Sequence, residues 1–162
     1  MIRHDTVRIV AANTLVAVAG KGATPEGTGL AAWLQGAKKI GIGNPASVPV
    51  GRYTRALLDA ESLWVSSAPK LVQASNVREV LLWLRQGAVD VGFVYGSDLV
   101  AASDSGLTRL AEYEEPGGAP IELAGGLAKD ARSPAEAQAF LGFLMTPEVA
   151  SVFRRHGFRV KE

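Results

Sequence analysis

The sequence contains no cysteine, and this absence removes several classes of protein from consideration. Without thiols, the chain forms neither disulfides nor thiolate metal sites. Only two histidines are present, His4 and His156, so a histidine-rich metal centre is excluded as well. A lack of cysteine fits an exported protein that avoids free thiols, but composition alone leaves the cellular compartment open.

The chain also lacks an excess of charge and a long apolar run. Lysine and arginine number 17 against 16 acidic residues, which gives a formal net charge of +1. Proteins that bind nucleic acids concentrate positive charge against the phosphates, so DNA and RNA are not expected partners. No apolar run approaches the roughly 20 residues of a membrane-spanning helix. The first residues contain no apolar segment with a small-residue cleavage site, so they show no signal peptide.

What the sequence does contain is enough apolar material for a packed core and an alternation of strand and helix patterns. Of its 162 residues, 48% are hydrophobic. Residues 7–19 are rich in β-branched side chains and predict one long strand or two short ones. The alternation follows in the next part of the chain, with a strand at 39–43, a helix at 51–60, a strand at 70–72, a helix from Val77 to Gly87 and a strand at 89–95. This order predicts a parallel sheet with crossover helices.

The last third of the chain changes from strands to helices. Residues 107–112 and 121–128 are strand candidates. Ser133-Pro134-Ala135-Glu136 combines an N-cap serine, a proline and a glutamate in the order typical of a helix start. Thr146-Pro147-Glu148 predicts a second start, with the helix ending at Gly157.

Three loops stand where chemistry is expected in an open α/β sheet, beyond the carboxyl ends of its strands. They are residues 48–51, 75–77 and 95–98. The first two lead into helix starts, where unpaired backbone N–H groups and the positive end of the helix dipole favour an anion. Arg52 and Arg78 lie just inside these helices, and we expect solvated or salt-bridged roles for them rather than ligand contacts.

Four segments, taken together and in order, resemble the molybdate-binding receptors of bacterial ABC transporters. The segment IGNPASVPVGRY at 42–53 is similar to that family's first oxyanion loop, and PKL at 69–71 with NVR at 76–78 is similar to its second. GFVYGSD at 92–98 looks like the family's strand that ends in a ligating tyrosine, and FRRHGF at 153–158 looks like its C-terminal signature.

The resemblance implies how an anion is held. The backbone N–H groups of Val50 and Val77 and the hydroxyl of Tyr95 would hydrogen-bond a tetrahedral dianion, either molybdate or tungstate, with no cofactor and no metal. The family usually has alanine where Val50 stands. This difference in side chain leaves the backbone N–H donor unchanged. Implied partners are the membrane subunits of the transporter, and the implied location is the periplasm or the cell surface.

The resemblance also implies a type II periplasmic-binding-protein-like α/β fold. Residues 1–100 would form one complete anion-binding lobe with a parallel-rich sheet. Residues 101–162 would supply crossover strands and the C-terminal helices of a partial second lobe. The family's opening lobe, with two serine-bearing loops, has no counterpart, so the chain is expected to be N-terminally truncated relative to the family. The uncovered apolar faces of the C-terminal helices then predict self-association or exchange of this segment between chains.

Two other functions are open at this point. The same fold serves as the ligand-sensing or interaction domain of regulators, although no helix-turn-helix candidate precedes Val7. A hydrolase would need Ser97, Asp98 and His156 as a catalytic set, yet no nucleophile-elbow sequence surrounds Ser97. We therefore expect a binding protein and not an enzyme.

Overall fold

A computed structural model describes residues 1–103 and 106–160 as an α/β structure with two sheets. The strands are β1 (Arg8–Asn13), β2 (Leu15–Ala19), β3 (Ile40–Gly43), β4 (Leu71–Ala74), β5 (Val91–Tyr95), β6 (Thr108–Tyr113) and β7 (Ile121–Gly125). The α-helices are α1 (Leu30–Gly36), α2 (Pro49–Ala60), α3 (Trp64–Ser67), α4 (Val77–Gln86), α5 (Gly96–Ala101), α6 (Pro134–Leu144) and α7 (Pro147–Arg155).

The larger sheet has five strands in the order β4-β3-β5-β2-β6. Strand β3 pairs in parallel with both β4 and β5, which confirms the parallel arrangement predicted for these three strands, but the sheet as a whole is mixed. Strand β2 is antiparallel to β5 on one side and to β6 on the other. The carboxyl ends of the three parallel strands therefore meet at one edge, where the predicted anion loops also lie.

The smaller sheet contains β1 and β7 in antiparallel pairing. Residues 7–19 thus form two short strands, one in each sheet, and the chain crosses between the sheets at Asn13 and Thr14. Strand β6 follows residue 100 but belongs to the larger sheet. Strand β1 precedes residue 100 but belongs to the smaller sheet. Each sheet therefore contains strands from both sides of the boundary predicted at residue 100. The pattern of a strand in the sequence does not show which strand it pairs with.

The core occupies both faces of the five-stranded sheet. All five residues of β2 are buried, and alternate ones point to opposite faces. Leu15 packs with Ile40, Ile42 and Phe93 beneath α1 and α2, whereas Val16 belongs to a second cluster formed with α4. Burial on both faces explains why the strands of this sheet appear in the sequence as short continuous apolar runs.

Local chemistry sets the ends of the two helices that follow β3 and β4. Helix α2 begins at Pro49, two residues before the predicted start, because proline suits the first helical position. Within its predicted apolar face, Leu57 is buried but Ala60 is exposed. The prediction for α4 is confirmed at both ends: it starts after Asn76 and stops at Gly87, whose φ of 66° suits glycine.

The C-terminal helices carry less buried surface. Leu141 is the buried residue of α6, and Val149 and Ala150 are those of α7. Thr146 caps α7 by accepting a hydrogen bond from the N–H of Val149 at 3.4 Å. Within residues 1–103 and 106–160, no helix combines the length and apolar character needed to cross a membrane.

Candidate functional site

The three predicted site residues lie at the edge where the parallel strands end. Val50 is the second residue of α2, Val77 is the first residue of α4, and Tyr95 is the last residue of β5. Val50 belongs to the buried apolar cluster of the larger sheet, and Val77 and Tyr95 pack against the same cluster. The fold therefore brings two helix starts and one phenol to the same region.

A backbone close approach positions the start of α2. A Cβ atom on Gly51 would lie 2.0 Å from the carbonyl oxygen of Gly43, and one on Gly43 would lie 2.8 Å from a methyl group of Val50. Only glycine at 43 and 51 lets the end of β3 and the first turn of α2 touch in this way. Asn44 ties this junction to the next strand, because its N–H donates to the carbonyl of Ala74 at 2.8 Å.

The N–H group of Val50 points to no acceptor within the described part of the chain. The neighbouring Gly51 N–H donates to the carbonyl of Val48 at 3.0 Å, and the Arg52 N–H donates to the same oxygen at 3.2 Å. Because the Val50 side chain is fully buried, its backbone is held in a fixed orientation. An unpaired N–H on a rigid first turn is a ready donor to an anion.

The start of α4 is fixed by side chains that leave its first N–H unused. Asn76 caps the helix, and its Oδ1 accepts from the N–H of Glu79 at 3.1 Å. The Glu79 carboxylate reaches back to Ser75, accepting from its N–H at 2.8 Å and its hydroxyl at 2.9 Å. Among residues 1–103 and 106–160, the N–H of Val77 has no acceptor.

Tyr95 supplies a phenol that keeps its proton. Burial raises the pKa of Tyr95 to about 12, and the nearby Tyr53 and Asp98 add to the rise, whereas Arg52 opposes it. The N–H of Tyr95 donates to the Asp98 carboxylate at 3.4 Å, which holds the turn from β5 into α5. A protonated phenol at neutral pH donates a hydrogen bond to an anion and adds no negative charge of its own.

A junction that the sequence analysis missed holds α5 in place. The Asn13 amide nitrogen donates to the hydroxyl of Ser97 at 2.8 Å, and Asn13 Oδ1 accepts from the N–H of Thr14 at 2.9 Å. Ser97 is thus engaged with the crossing point between the sheets. No hydrogen bond joins Ser97, Asp98 and His156 in the part of the chain that the structure describes.

Other surface depressions lie away from these residues. Three of them, of about 600, 450 and 310 Å³, are formed beside β1, beside the loop at 22–26, and between α1 and α3. Val50, Val77 and Tyr95 line none of the three. Within the described residues, no cluster of three or more histidine, aspartate or glutamate side chains is arranged to hold a metal ion.

Known proteins provide an independent comparison. A family model described as bacterial extracellular solute-binding protein matches residues 1–159. The putative ABC transporter substrate-binding lipoprotein YvgL of Bacillus subtilis is 34% identical over 121 residues, which is 75% of this chain and 46% of that protein. The molybdate-binding protein ModA of Escherichia coli is 31% identical over 123 residues, which is 76% of this chain and 47% of that protein. The chain thus spans about half the length of these curated relatives.

Solved structures agree on the fold. The substrate binding domain of a putative molybdenum ABC transporter from Clostridium difficile matches all of this chain and 69% of its own, with a TM-score of 0.85 and 29% identity. A periplasmic molybdate-binding protein of Azotobacter vinelandii matches 99% of this chain and 71% of its own, with a TM-score of 0.74 and 18% identity. These matches confirm the predicted periplasmic-binding-protein-like α/β class, and the relatives are named as binding proteins rather than enzymes, as predicted. The chain belongs to the family of bacterial extracellular solute-binding proteins.

Proposed function

We propose that this chain binds molybdate as part of the solute-binding component of an ABC transporter. The observation that supports the proposal is that the unpaired helix-start N–H groups of Val50 and Val77 lie at the sheet edge where β5 ends in Tyr95, whose raised pKa keeps its phenol protonated. Donors of this kind suit an anion whose charge is spread over several oxygens. Two relatives that share this fold are themselves named for molybdate or molybdenum.

The donor set carries no net charge, which shapes the selectivity we expect. Neutral donors do not distinguish dianions of equal charge, so the choice between them rests on the spacing of the donors and the size of the anion. Tungstate, with nearly the size and shape of molybdate, is an equally fitting guest. Sulfate is smaller, so we expect it to fit the same donors less well.

The proposed setting follows from the family. The partner is the membrane part of a transporter, and the chain acts outside the cytoplasm, because the relatives include a lipoprotein and a periplasmic protein. The alternative role, as a ligand-sensing or interaction domain of a regulator, has no support from the relatives named above.

Calorimetric titration of the 162-residue chain tests the proposal. We expect molybdate and tungstate to release heat with similar affinity and sulfate to bind more weakly. Equal affinity for all three anions would contradict selection by size. An absence of molybdate binding up to millimolar concentration would contradict the proposed function itself.

The backbone donor at Val77 is open to a direct test because proline is favoured at the first position of a helix. Asn76 already has the extended backbone, with φ of −163° and ψ of 167°, that a following proline requires. Val77→Pro therefore removes the N–H while preserving the helix, and we expect a loss of about 1.5 to 3 kcal/mol in binding free energy. Val77→Ala keeps the N–H and should lose far less. Equal losses in the two variants would show that the side chain, and not the N–H, matters.

A further inference from the structure

Two arginines lie at the starts of the candidate-site helices without an ion-pair partner. Arg52 is the fourth residue of α2, and Arg78 is the second residue of α4; both are exposed. Neither forms an ion pair within residues 1–103 and 106–160. By contrast, Arg55, one turn further along α2, pairs with Asp59 and lies 4.0 Å over the ring of Trp64.

The position of these two arginines is unfavourable for the helices that carry them. The N-terminal end of a helix has a partial positive charge, so a cation in its first turn is repelled and an anion is attracted. Helix α2 has no acidic residue in its first turn, and the Glu79 carboxylate of α4 is already engaged by Ser75. The helix dipole therefore disfavours a positive charge at either place, and for Arg78 this is partly offset by attraction to the Asp98 carboxylate, whose pKa it lowers.

Both charges also act on the groups that surround the proposed anion. The positive charge of Arg52 is felt at the Tyr95 hydroxyl, where it lowers the pKa against the effect of burial. The positive charge of Arg78 acts on Asp98. Burial raises the pKa of the Asp98 carboxyl, whereas the hydrogen bond that it accepts from the Tyr95 N–H and the charge of Arg78 lower it. The two arginines thus lie near the same edge of the sheet, on helices that pack against its opposite faces.

We propose that Arg52 and Arg78 attract the incoming dianion through solvent and are not among its direct ligands. The proposal rests on the proposed function and adds a division of labour to it. Neutral donors at Val50, Val77 and Tyr95 hold the anion, whereas the two exposed cations raise its concentration at the site. Because the interaction scales with ligand charge, it favours dianions over monoanions of the same shape.

Salt dependence separates this role from a direct contact. Charges that interact through water are screened over about 30 Å at 0.01 M ionic strength and about 3 Å at 1 M. A hydrogen-bonded arginine in contact with a buried anion is screened much less. An attraction through solvent must therefore fade in high salt, whereas a ligand contact must persist.

The experiment measures the molybdate Kd by calorimetry at about 0.01 M and about 1 M ionic strength. It compares the unchanged chain with the double variant Arg52→Gln, Arg78→Gln. The control is a double variant with the same change of charge, Arg55→Gln with Arg85→Gln. Arg85 lies seven residues along α4 from Arg78, which places it about 10 Å further along the helix axis.

We expect the Arg52/Arg78 variant to weaken binding about tenfold in low salt and less than about twofold in high salt. The control should stay within about twofold of the unchanged chain in both. Thermal unfolding midpoints serve as the fold check for both variants. That of the Arg52/Arg78 variant should lie close to the original, because the removal of two cations disfavoured by the helix dipoles is offset by the lost attraction between Arg78 and Asp98.

Three outcomes would overturn the inference, and they can be told apart. A tenfold loss that persists in high salt would make the arginines direct ligands. A low-salt loss no larger than that of the control would show that their charge is irrelevant. Failure of the unchanged chain to bind molybdate in either salt would defeat the proposed function, and the inference would fall with it.

Discussion

The five-stranded sheet and the C-terminal helices differ in how completely they bury their apolar side chains. Ile40, Ile42 and Phe93 of the sheet are fully buried. On α6, by contrast, Phe140 is 61% exposed and Phe143 is 51% exposed, and their rings lie 6.4 Å apart. The five-stranded sheet thus buries its large apolar side chains, whereas α6 exposes two neighbouring phenylalanines, an apolar surface of the kind that marks an interaction site.

The segment that follows α7 is tied to both sheets by polar contacts. Arg159 and Ala12 exchange two backbone hydrogen bonds, of 2.7 and 2.8 Å, which adds a bridge to the edge of β1. The Arg159 side chain also pairs with Glu112 of β6 and with Glu114, both at 3.2 Å. Ion pairs of this kind at the surface add little stability.

The largest effect is expected when one phenylalanine is truncated in each region. Phe93→Ala should lower the free energy of unfolding by about 3 to 5 kcal/mol, because it leaves a cavity in a fully buried cluster. Phe140→Ala should change it by less than about 0.5 kcal/mol. Urea titration followed by circular dichroism measures both. Similar losses at the two positions would mean that α6 is as well packed as the sheet.

The next prediction concerns what covers α6. We expect the purified chain to form a dimer or larger species at micromolar concentration, and Phe140→Asp with Phe143→Asp to weaken association at least about a hundredfold. Light scattering on a sizing column measures both. The control is Val65→Asp, because Val65 is 84% exposed on α3 and should leave association unchanged. A clean monomer of the unchanged chain would contradict the prediction.

Local sequence signals predicted the elements that build the site. Asn76 and Gly87 mark the two ends of α4 because a side-chain cap and a positive φ are short-range requirements. The alternation of strands and helices predicted that β3, β4 and β5 run parallel, which in turn placed Val77 and Tyr95 at one edge. These features depend on residues that are near in sequence.

The features that the sequence did not reveal depend on distant partners. The pairing of β6 with β2 and of β1 with β7 is decided by how the chain crosses between the sheets. The link between Asn13 and Ser97 spans 84 residues. Gly43 and Gly51 were visible as glycines, but their close approach became evident only once β3 and α2 were packed together.

A smaller effect is expected at the candidate site, which lies at one edge of the well-packed five-stranded sheet. Tyr95→Phe should weaken molybdate binding by about 1 to 3 kcal/mol, because the anion loses one donor while the ring still packs. The matched control is Tyr113→Phe, since Tyr113 also packs against the core and lies opposite Leu15 on its other side. Calorimetry that shows no difference between the two variants would remove Tyr95 from the site.

The smallest expected effect is that of pH on the same tyrosine. Burial, Tyr53 and Asp98 raise the pKa of Tyr95 to about 12 in the folded chain, compared with about 10 for a free tyrosine. The hydroxyl therefore keeps its proton, and molybdate affinity should be constant from about pH 7 to about pH 10 as far as Tyr95 is concerned.

The raised pKa of Tyr95 also makes the free energy of unfolding depend on pH. Unfolded chains lose the tyrosine proton near pH 10 but the folded chain retains it, so the stabilising contribution is complete below about pH 10 and is lost as the pH rises toward 12. Titrations of the unchanged chain and of Tyr95→Phe at successive pH values separate this group from others that ionise in the same range. A tenfold fall in affinity below about pH 10 that is absent from Tyr95→Phe would show that the phenol ionises early. It would place the hydroxyl in solvent, outside the partly buried position that the proposed donor role requires.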